Sequence, residues 1–199
     1  MEVKRVVVSQ FQTNCYILRK GNDVLLIDPG AGYKKIVEQL NDLKPLAILL
    51  THGHLDHIGA VDKLYEKYHC PIYASKQDEK MLKDERYNTL AGISATVSSP
   101  IDWIDEKDLL KIGSFDIKIL YTPGHSKGSV MYLIEDKLFS GDTLFHLSVG
   151  RTDLYGGSQH QLIQSLEIIK RLDPNIVVYP GHDKQTTIGY EIENNPFLQ

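Results

Sequence analysis

Cysteine is nearly missing from this chain. Only Cys15 and Cys70 occur among 199 residues, and neither belongs to a C-x-x-C pair. That excludes a thiolate zinc knuckle and a thioredoxin-type motif, and makes a reduced, cytoplasmic protein without disulfides the expectation. Long apolar runs are missing too: no stretch reaches the roughly 18 residues of a membrane span. The opening Val6-Val7-Val8 run turns polar too soon for the core of a secretory signal. Positive charge is in short supply, with 22 Lys and Arg against 26 Asp and Glu for a net charge of −4. Nothing there neutralises a phosphate backbone, so neither nucleic acid nor membrane is an expected partner. A G-x-S-x-G elbow is absent, and Gly124 to Ser129 lacks the spacing of a phosphate-binding loop.

The remaining composition, 42% hydrophobic and 24% charged, is that of a globular protein with a substantial core. At roughly 150 residues per domain, a single domain over residues 1–199 is expected. Apolar, β-branched runs at Arg5 to Ser9, Cys15 to Arg19 and Val24 to Asp28 read as strands, with Gly21-Asn22 as a hairpin turn. A helix is expected over Tyr33 to Leu43, a strand over Leu46 to Leu50, a helix over Ile58 to Tyr68 and a strand over Pro71 to Ala74. Ser75 reads as the N-cap of a helix to Lys83, with Asp78 at its third position. Residues 84–100 are polar without a period and read as loop or short helix near the site. Strands follow at Leu109 to Ile112, Phe115 to Tyr121, Val130 to Ile134 and Lys137 to Phe139. Then come a glycine-bearing loop over 141–157, a helix capped by Ser158, and a strand from Ile176 to Tyr179. Strands with helices, twice over, predict two packed sheets with helices outside.

Histidine is the unusual residue, with eight copies, and five of them follow apolar strands. Leu46 to Leu50 runs into His52, His54, Asp56 and His57, which form H-x-H-x-D-H. Ile117 to Tyr121 runs into Thr-Pro-Gly-His125, and Ile176 to Tyr179 runs into Pro-Gly-His182. Leu138-Phe139-Ser140-Gly141 leads likewise to Asp142, which taken alone is an ordinary turn residue. Strand ends hold side chains with fixed geometry, and imidazole with carboxylate suits Zn²⁺, Fe or Mn. His69, His146 and His160 have no partner at such spacing and read as loop histidines.

From Asp28-Pro29-Gly30 through His182, these residues resemble the metallo-β-lactamase superfamily. The resemblance implies an α+β fold, a four-layer αββα sandwich of two mixed sheets flanked by helices, with metals at one sheet edge. It implies that His52, His54 and His125 hold one ion, that Asp56, His57 and His182 hold a second, and that Asp142 bridges them. Asp142 in place of Cys, and His54 in place of Glu, resemble hydroxyacylglutathione hydrolase (glyoxalase II) and depart from antibiotic-hydrolysing lactamases and flavodiiron oxidoreductases. The implied chemistry is zinc-dependent hydrolysis, in which a metal-bridged hydroxide attacks a thioester or related ester carbonyl. Two divalent cations, two aspartates and a hydroxide leave about +1 in such a site, which favours an oxyanion. Arg151, in Gly150-Arg-Thr-Asp153, resembles the family's basic glutathione contact and reads equally well as a partner of Asp153. Lys184 and Tyr155 are further candidates for substrate contact. The 17 residues after His182 leave no room for the C-terminal domain with which full-length glyoxalase II grips glutathione. The alternative expectation is a mononuclear iron oxygenase similar to persulfide dioxygenases, which share the Gly-Arg-Thr-Asp stretch.

Overall fold

The computed structural model describes residues 1–105 and 109–199. Its first half contains β1 (Glu2–Val8), β2 (Thr13–Lys20), β3 (Asp23–Ile27), α1 (Tyr33–Leu40), β4 (Ala47–Leu49), α2 (Leu55–Ile58), α3 (Val61–Tyr68) and β5 (Ile72–Ala74). A 3₁₀ turn (Lys76–Asp78), α4 (Glu79–Lys83), a second 3₁₀ turn (Glu85–Tyr87), β6 (Thr89–Leu90), β7 (Ile93–Ser94) and β8 (Asp102–Trp103) follow. The second half contains β9 (Leu109–Ile112), β10 (Phe115–Tyr121), β11 (Val130–Ile134), β12 (Lys137–Gly141), β13 (Leu144–Phe145), β14 (Ser148–Val149), α5 (Gln159–Ile169), β15 (Val177–Pro180), β16 (Thr186–Thr187) and α6 (Ile188–Asn194).

Two six-stranded sheets result, ordered β1-β2-β3-β4-β5-β8 and β16-β15-β12-β11-β10-β9. Both are mixed: β3, β4, β5 and β8 pair in parallel and β12 pairs in parallel with β15, while the other pairings are antiparallel. Successive strand residues point to opposite faces, and here both faces are covered, which is why the strands read as continuous apolar runs. In the first sheet Cys15, Ile17, Val24, Leu26 and Ile48 pack outward with Ile36, Leu40, Val61 and Leu64 of α1 and α3. Their alternates Tyr16, Leu18, Leu25, Ile27 and Leu49 pack inward with Phe115, Ile117, Val130, Tyr132 and Phe139 of the second sheet. The outer face of that sheet, with Met131, Leu138 and Val178, takes Leu162, Leu166 and Ile169 of α5 and Ile188 of α6. These layers are the expected αββα sandwich.

The differences from expectation are local. The first helix stops at Leu40 rather than Leu43, because Asn41 and Asp42 take left-handed φ of 48° and 64°, a conformation that short polar side chains tolerate. The helix expected from Ile58 is two pieces, a single turn carrying Asp56 and His57 and then α3 after a break at Gly59-Ala60. Ser75 opens a 3₁₀ turn by accepting from Gln77 N–H, and the helix proper begins at Glu79. The aperiodic stretch 84–100 holds the β6–β7 hairpin, and 141–157 holds the β13–β14 hairpin. Strands of two residues carry no readable alternation.

Phe139 is fully buried, with its ring 5.3 Å from that of Tyr16 and 5.2 Å from that of Tyr179. Phe139→Ala is expected to cost about 3–5 kcal/mol in urea unfolding. A loss below about 1 kcal/mol would show that the two sheets close over the cavity, against the close packing assigned to this layer.

Candidate metal centre

Strand direction brings the polar turns together. β3 and β4 run in parallel, as do β12 and β15, and β10 is antiparallel to β11, which is antiparallel to β12. The C-terminal ends of β10, β12 and β15 therefore share one sheet edge, and those of β3 and β4 share an edge of the other, where crevices outside strand carboxyl ends form binding sites. Asp28 leaves β3, His52 and His54 follow β4, His125 follows β10, Asp142 follows β12 and His182 follows β15. The turn between β1 and β2 meets this edge and adds Phe11 and Thr13.

All seven residues expected as ligands converge there. The ring atoms of His52, His54 and His125 form one group within 4.8 Å of one another, and Asp56, His57 and His182 form another. Asp142 lies between them: its Oδ2 is 3.5 Å from His125 Nε2 and 3.3 Å from His182 Nε2, while its Oδ1 is 3.2 Å from His57 Nε2. Asp56 Oδ2 is 3.2 Å from His182 Nε2. Gly181 makes this approach feasible, because a Cβ there would fall 2.1 Å from Asp142 Oδ1 and 2.7 Å from His57 Cε1.

The rings are oriented from behind. His57 Nδ1–H donates to Asp28 Oδ2 at 2.9 Å, His125 Nδ1–H to the Arg151 carbonyl at 2.7 Å, and His182 Nδ1–H to the Phe11 carbonyl at 3.1 Å. Thr51 Oγ1 donates to Asp28 Oδ2 at 2.6 Å and accepts from His52 Nδ1 at 3.0 Å. Asp28 holds this position with a left-handed φ of 49°, a backbone strain offset by its contacts to Thr51 and His57. Thr13 Oγ1 donates to Asp56 Oδ2 at 2.7 Å. Such partners fix the tautomer and turn the opposite ring nitrogen toward a cation.

Buried atoms are left over on the inner side. His52 Nε2 and His54 Nε2 have no hydrogen-bond partner, and His57 Nε2 and Asp142 Oδ1 form a 3.2 Å ion pair with each other. His54 Nδ1 faces His125 Nε2 at 2.8 Å, so a proton or a cation must lie between two lone pairs. Unpaired buried polar atoms are costly. An all-imidazole and carboxylate donor set with these orphans fits divalent cations of the zinc, iron or manganese type.

Burial and neighbouring charge divide the histidines. Burial, reinforced by the neighbouring imidazoles, holds His52 well below the ordinary value and brings His54 down to about 3. Burial also opposes charge on His57 and His182, but the surrounding carboxylates outweigh it, Asp142, Asp56 and Asp28 for His57 and Asp142 and Asp56 for His182. His57 rises well above its ordinary range and His182 reaches about 9. For Asp56 and Asp142 burial works upward and is overcome by His57 and His182, which hold both well below the usual carboxylate range.

The cluster forms the floor of a cavity of about 550 Å³. Phe11 and Phe145 line it, as do Tyr87 and Tyr155, whose rings stand 4.6 Å apart. Arg86 and Arg151 also line it, each paired to a nearby carboxylate: Arg86 to Asp84, and Arg151 to Asp153 through Nε–Oδ1 at 2.6 Å and Nη2–Oδ2 at 2.7 Å. Arg151 and Tyr155 thus line the cavity, and so do residues 86–90 of the stretch 84–100. Lys184 does not: past His182, Asp183 takes a φ of 66° and the chain turns away, so Lys184 lines a shallow depression with Arg5 and Tyr179 instead. Phe11, Thr13 and Arg86 were not expected here. Only the hairpin turn before β2 offered a hint, since it points toward the end of β3.

A two-sheet sandwich with a histidine–aspartate edge defines the class of metal-dependent hydrolases. The chain belongs to the metallo-beta-lactamase superfamily, whose family model matches residues 8–182. It is 41% identical over 207 residues to the probable metallo-hydrolase YqgX of Bacillus subtilis, covering 100% of this chain and 98% of that one. To the hydroxyacylglutathione hydrolase GloC of Haemophilus influenzae it is 33% identical over 211 residues, covering 100% and 98%. Among solved structures, the BLEG-1 B3 metallo-beta-lactamase matches with a TM-score of 0.96 at 39% identity over 100% of both chains. TTHA1623 in a di-iron-bound form matches with a TM-score of 0.90 at 36% identity over 98% of this chain and 100% of that one. No helix among the described residues is long and apolar enough to cross a membrane.

Stability of the chelator-treated protein should depend on pH with a maximum near 6.5. Above that, folded His57 and His182 hold protons that the unfolded chain has released, so stability falls as pH rises toward about 9. Below it the unfolded chain protonates His52 and His54, which the folded chain keeps neutral, so stability falls again toward about 3. The low carboxylate values add a further loss as pH drops through and below 3.8. Melting temperature measured from pH 4 to 9 checks this, and a stability rising steadily through pH 9 would contradict it.

Proposed function

We propose that this chain is a dinuclear metallohydrolase of a thioester or related ester, with His52, His54 and His125 holding one cation, Asp56, His57 and His182 the other, and Asp142 shared between them. The observation that carries this reading is the placement of Asp142 Oδ2, within 3.5 Å of His125 Nε2 and 3.3 Å of His182 Nε2. A single carboxylate oxygen facing both groups is what bridging requires. Held by these residues, divalent cations would lower the pKa of a bound water to near 7 and would supply positive charge to a developing oxyanion. Zn²⁺ suits the donors, with Fe or Mn as the other occupants of either position.

The protein's own part is orientation and enclosure. Asp28, Thr13 and the carbonyls of Phe11 and Arg151 hold the ligand side chains at fixed angles, so the site needs little reorganisation during reaction. The aromatic wall of Phe11, Phe145, Tyr87 and Tyr155 shields a bound acyl or thiol group from water. Asp142 and Asp56 are held well below the usual carboxylate range by His57 and His182, which suits both to anionic roles beside a cation. No side-chain nucleophile is needed. A complete Asp56/His57/His182 group beside the first favours two cations over the mononuclear oxygenase reading. The match to GloC supports a thioester, and the match to a B3 metallo-beta-lactamase makes a β-lactam the control substrate.

The test is a metal-quantified preparation assayed on glutathione and non-glutathione thioesters, a β-lactam, and a persulfide with an oxygen electrode. Two divalent cations per chain with thioester cleavage is the expected result; one iron with oxygen uptake and no hydrolysis overturns it. Asp142→Ala is expected to lose one cation and to lower kcat/KM by more than the roughly 10–100-fold cost of an outer partner; normal turnover would remove the bridging role. Arg151→Ala is expected to raise KM severalfold with kcat held, whereas unchanged kinetics with a lower melting temperature would leave Arg151 only as the partner of Asp153.

A further inference from the structure

We propose that Asp78 and Asn88 are positioning residues that together set the geometry and cation affinity of the His52/His54/His125 group. The inference rests on reading that group as a cation site and concerns two residues remote from it in the chain. Asp78 is buried, at 3% exposure. Although it stands at the start of α4, its side chain makes no capping hydrogen bond there. Its carboxylate reaches the two loops that carry the three histidines instead. Oδ2 accepts the Gly53 N–H at 2.9 Å and the Ser126 hydroxyl at 2.7 Å, and Oδ1 accepts the Gly128 N–H at 2.7 Å. Gly53 sits between His52 and His54, and Ser126 follows His125. One carboxylate therefore ties the first histidine loop to the second.

Asn88 holds the other backbone polar group of the same residue. It is 3% exposed, and its Nδ2 donates to the Gly53 carbonyl at 2.7 Å, with further contacts to the Met81 and Ala95 carbonyls at 3.2 and 3.1 Å. Both backbone polar groups of the residue between two ligand histidines are thus held by side chains from the segment 78–88. Space enforces the arrangement: a Cβ on Gly128 would lie 2.6 Å from Asp78 Cγ, and one on Gly53 would lie 3.1 Å from Asp78 Cβ. The Asp56/His57/His182 group is oriented by other residues, Thr13, Asp28 and the Phe11 carbonyl. The clamp therefore acts on one cation position and not the other, and a residue that held only the fold together would not produce that selectivity.

The test titrates the full chain with Zn²⁺ against a chromophoric chelator and records the visible absorption of the Co²⁺-loaded protein. Asp78→Asn keeps the shape but places an amide where three donors converge. One binding step is expected to weaken by about 10–100-fold while the other is unchanged, and the Co²⁺ band of the weakened position should shift. If Asp78→Asn does not fold, Ser126→Ala removes a single hydroxyl from the same clamp and should shift the same step in the same direction by less. Unchanged binding steps in a folded variant overturn the proposal, as does equal weakening of both steps accompanied by a lower melting temperature. A wild-type chain that takes up no cation at these histidines overturns the underlying reading as well, whereas wild-type uptake with unchanged variants overturns the clamp alone.

Discussion

Five imidazoles and two carboxylates are packed where two apolar sheets meet, and His52 Nε2 and His54 Nε2 are buried there without hydrogen-bond partners. Burial of that kind is stable only where positive charge compensates it, by protons on His57 and His182 or by cations among all seven side chains. Much of the surrounding architecture serves this requirement. Asp28 accepts a strained backbone to hold His57 and Thr51, and Gly181 gives up a side chain so that Asp142 and His57 can approach. The sandwich supplies the rigid edges, and the turns supply the donors.

The parts of this plan that were legible in the sequence are those encoded within a dozen consecutive residues. Leu46 to His57 displays a buried strand, a turn and four candidate ligand residues in order, and the same design recurs before His125, Asp142 and His182. The alternation of Cys15, Ile17 against Tyr16, Leu18 made the two-faced sheet readable as an unbroken apolar run. Partners distant along the chain were not legible. Thr13 meets Asp56 across 43 positions, and Asp78 meets Gly128 across 50, through ordinary polar residues whose neighbours carry no signal. Asp78 was misread for a physical reason. An acid three residues after a serine suits a helix start, and only the tertiary structure shows its carboxylate turned toward the histidine loops. Lys184 shows the converse error, since closeness to His182 in sequence does not survive the turn at Asp183.

The cavity wall differs from its floor in how firmly it is made. The histidine and aspartate side chains of the floor are buried, or half-buried at Asp56 and His182, and are tied by carbonyls, hydroxyls or carboxylates, whereas Arg86 and Arg151 are exposed and each pairs with a carboxylate two residues away. An exposed pair of that kind is easily exchanged for a ligand carboxylate. Residues 78–88 contribute to both parts, gripping Gly53 at one end and presenting Arg86 and Tyr87 to the cavity near the other.

The contact between the Phe11 carbonyl and His182 Nδ1 joins residues 171 positions apart, and Asn14 N–H meets the Gly181 carbonyl alongside it. During synthesis, the first hairpin must wait for nearly the whole chain before these bonds can form. The group formed by Asp56, His57 and His182 is therefore complete only once the earliest and the latest segments of the chain have met.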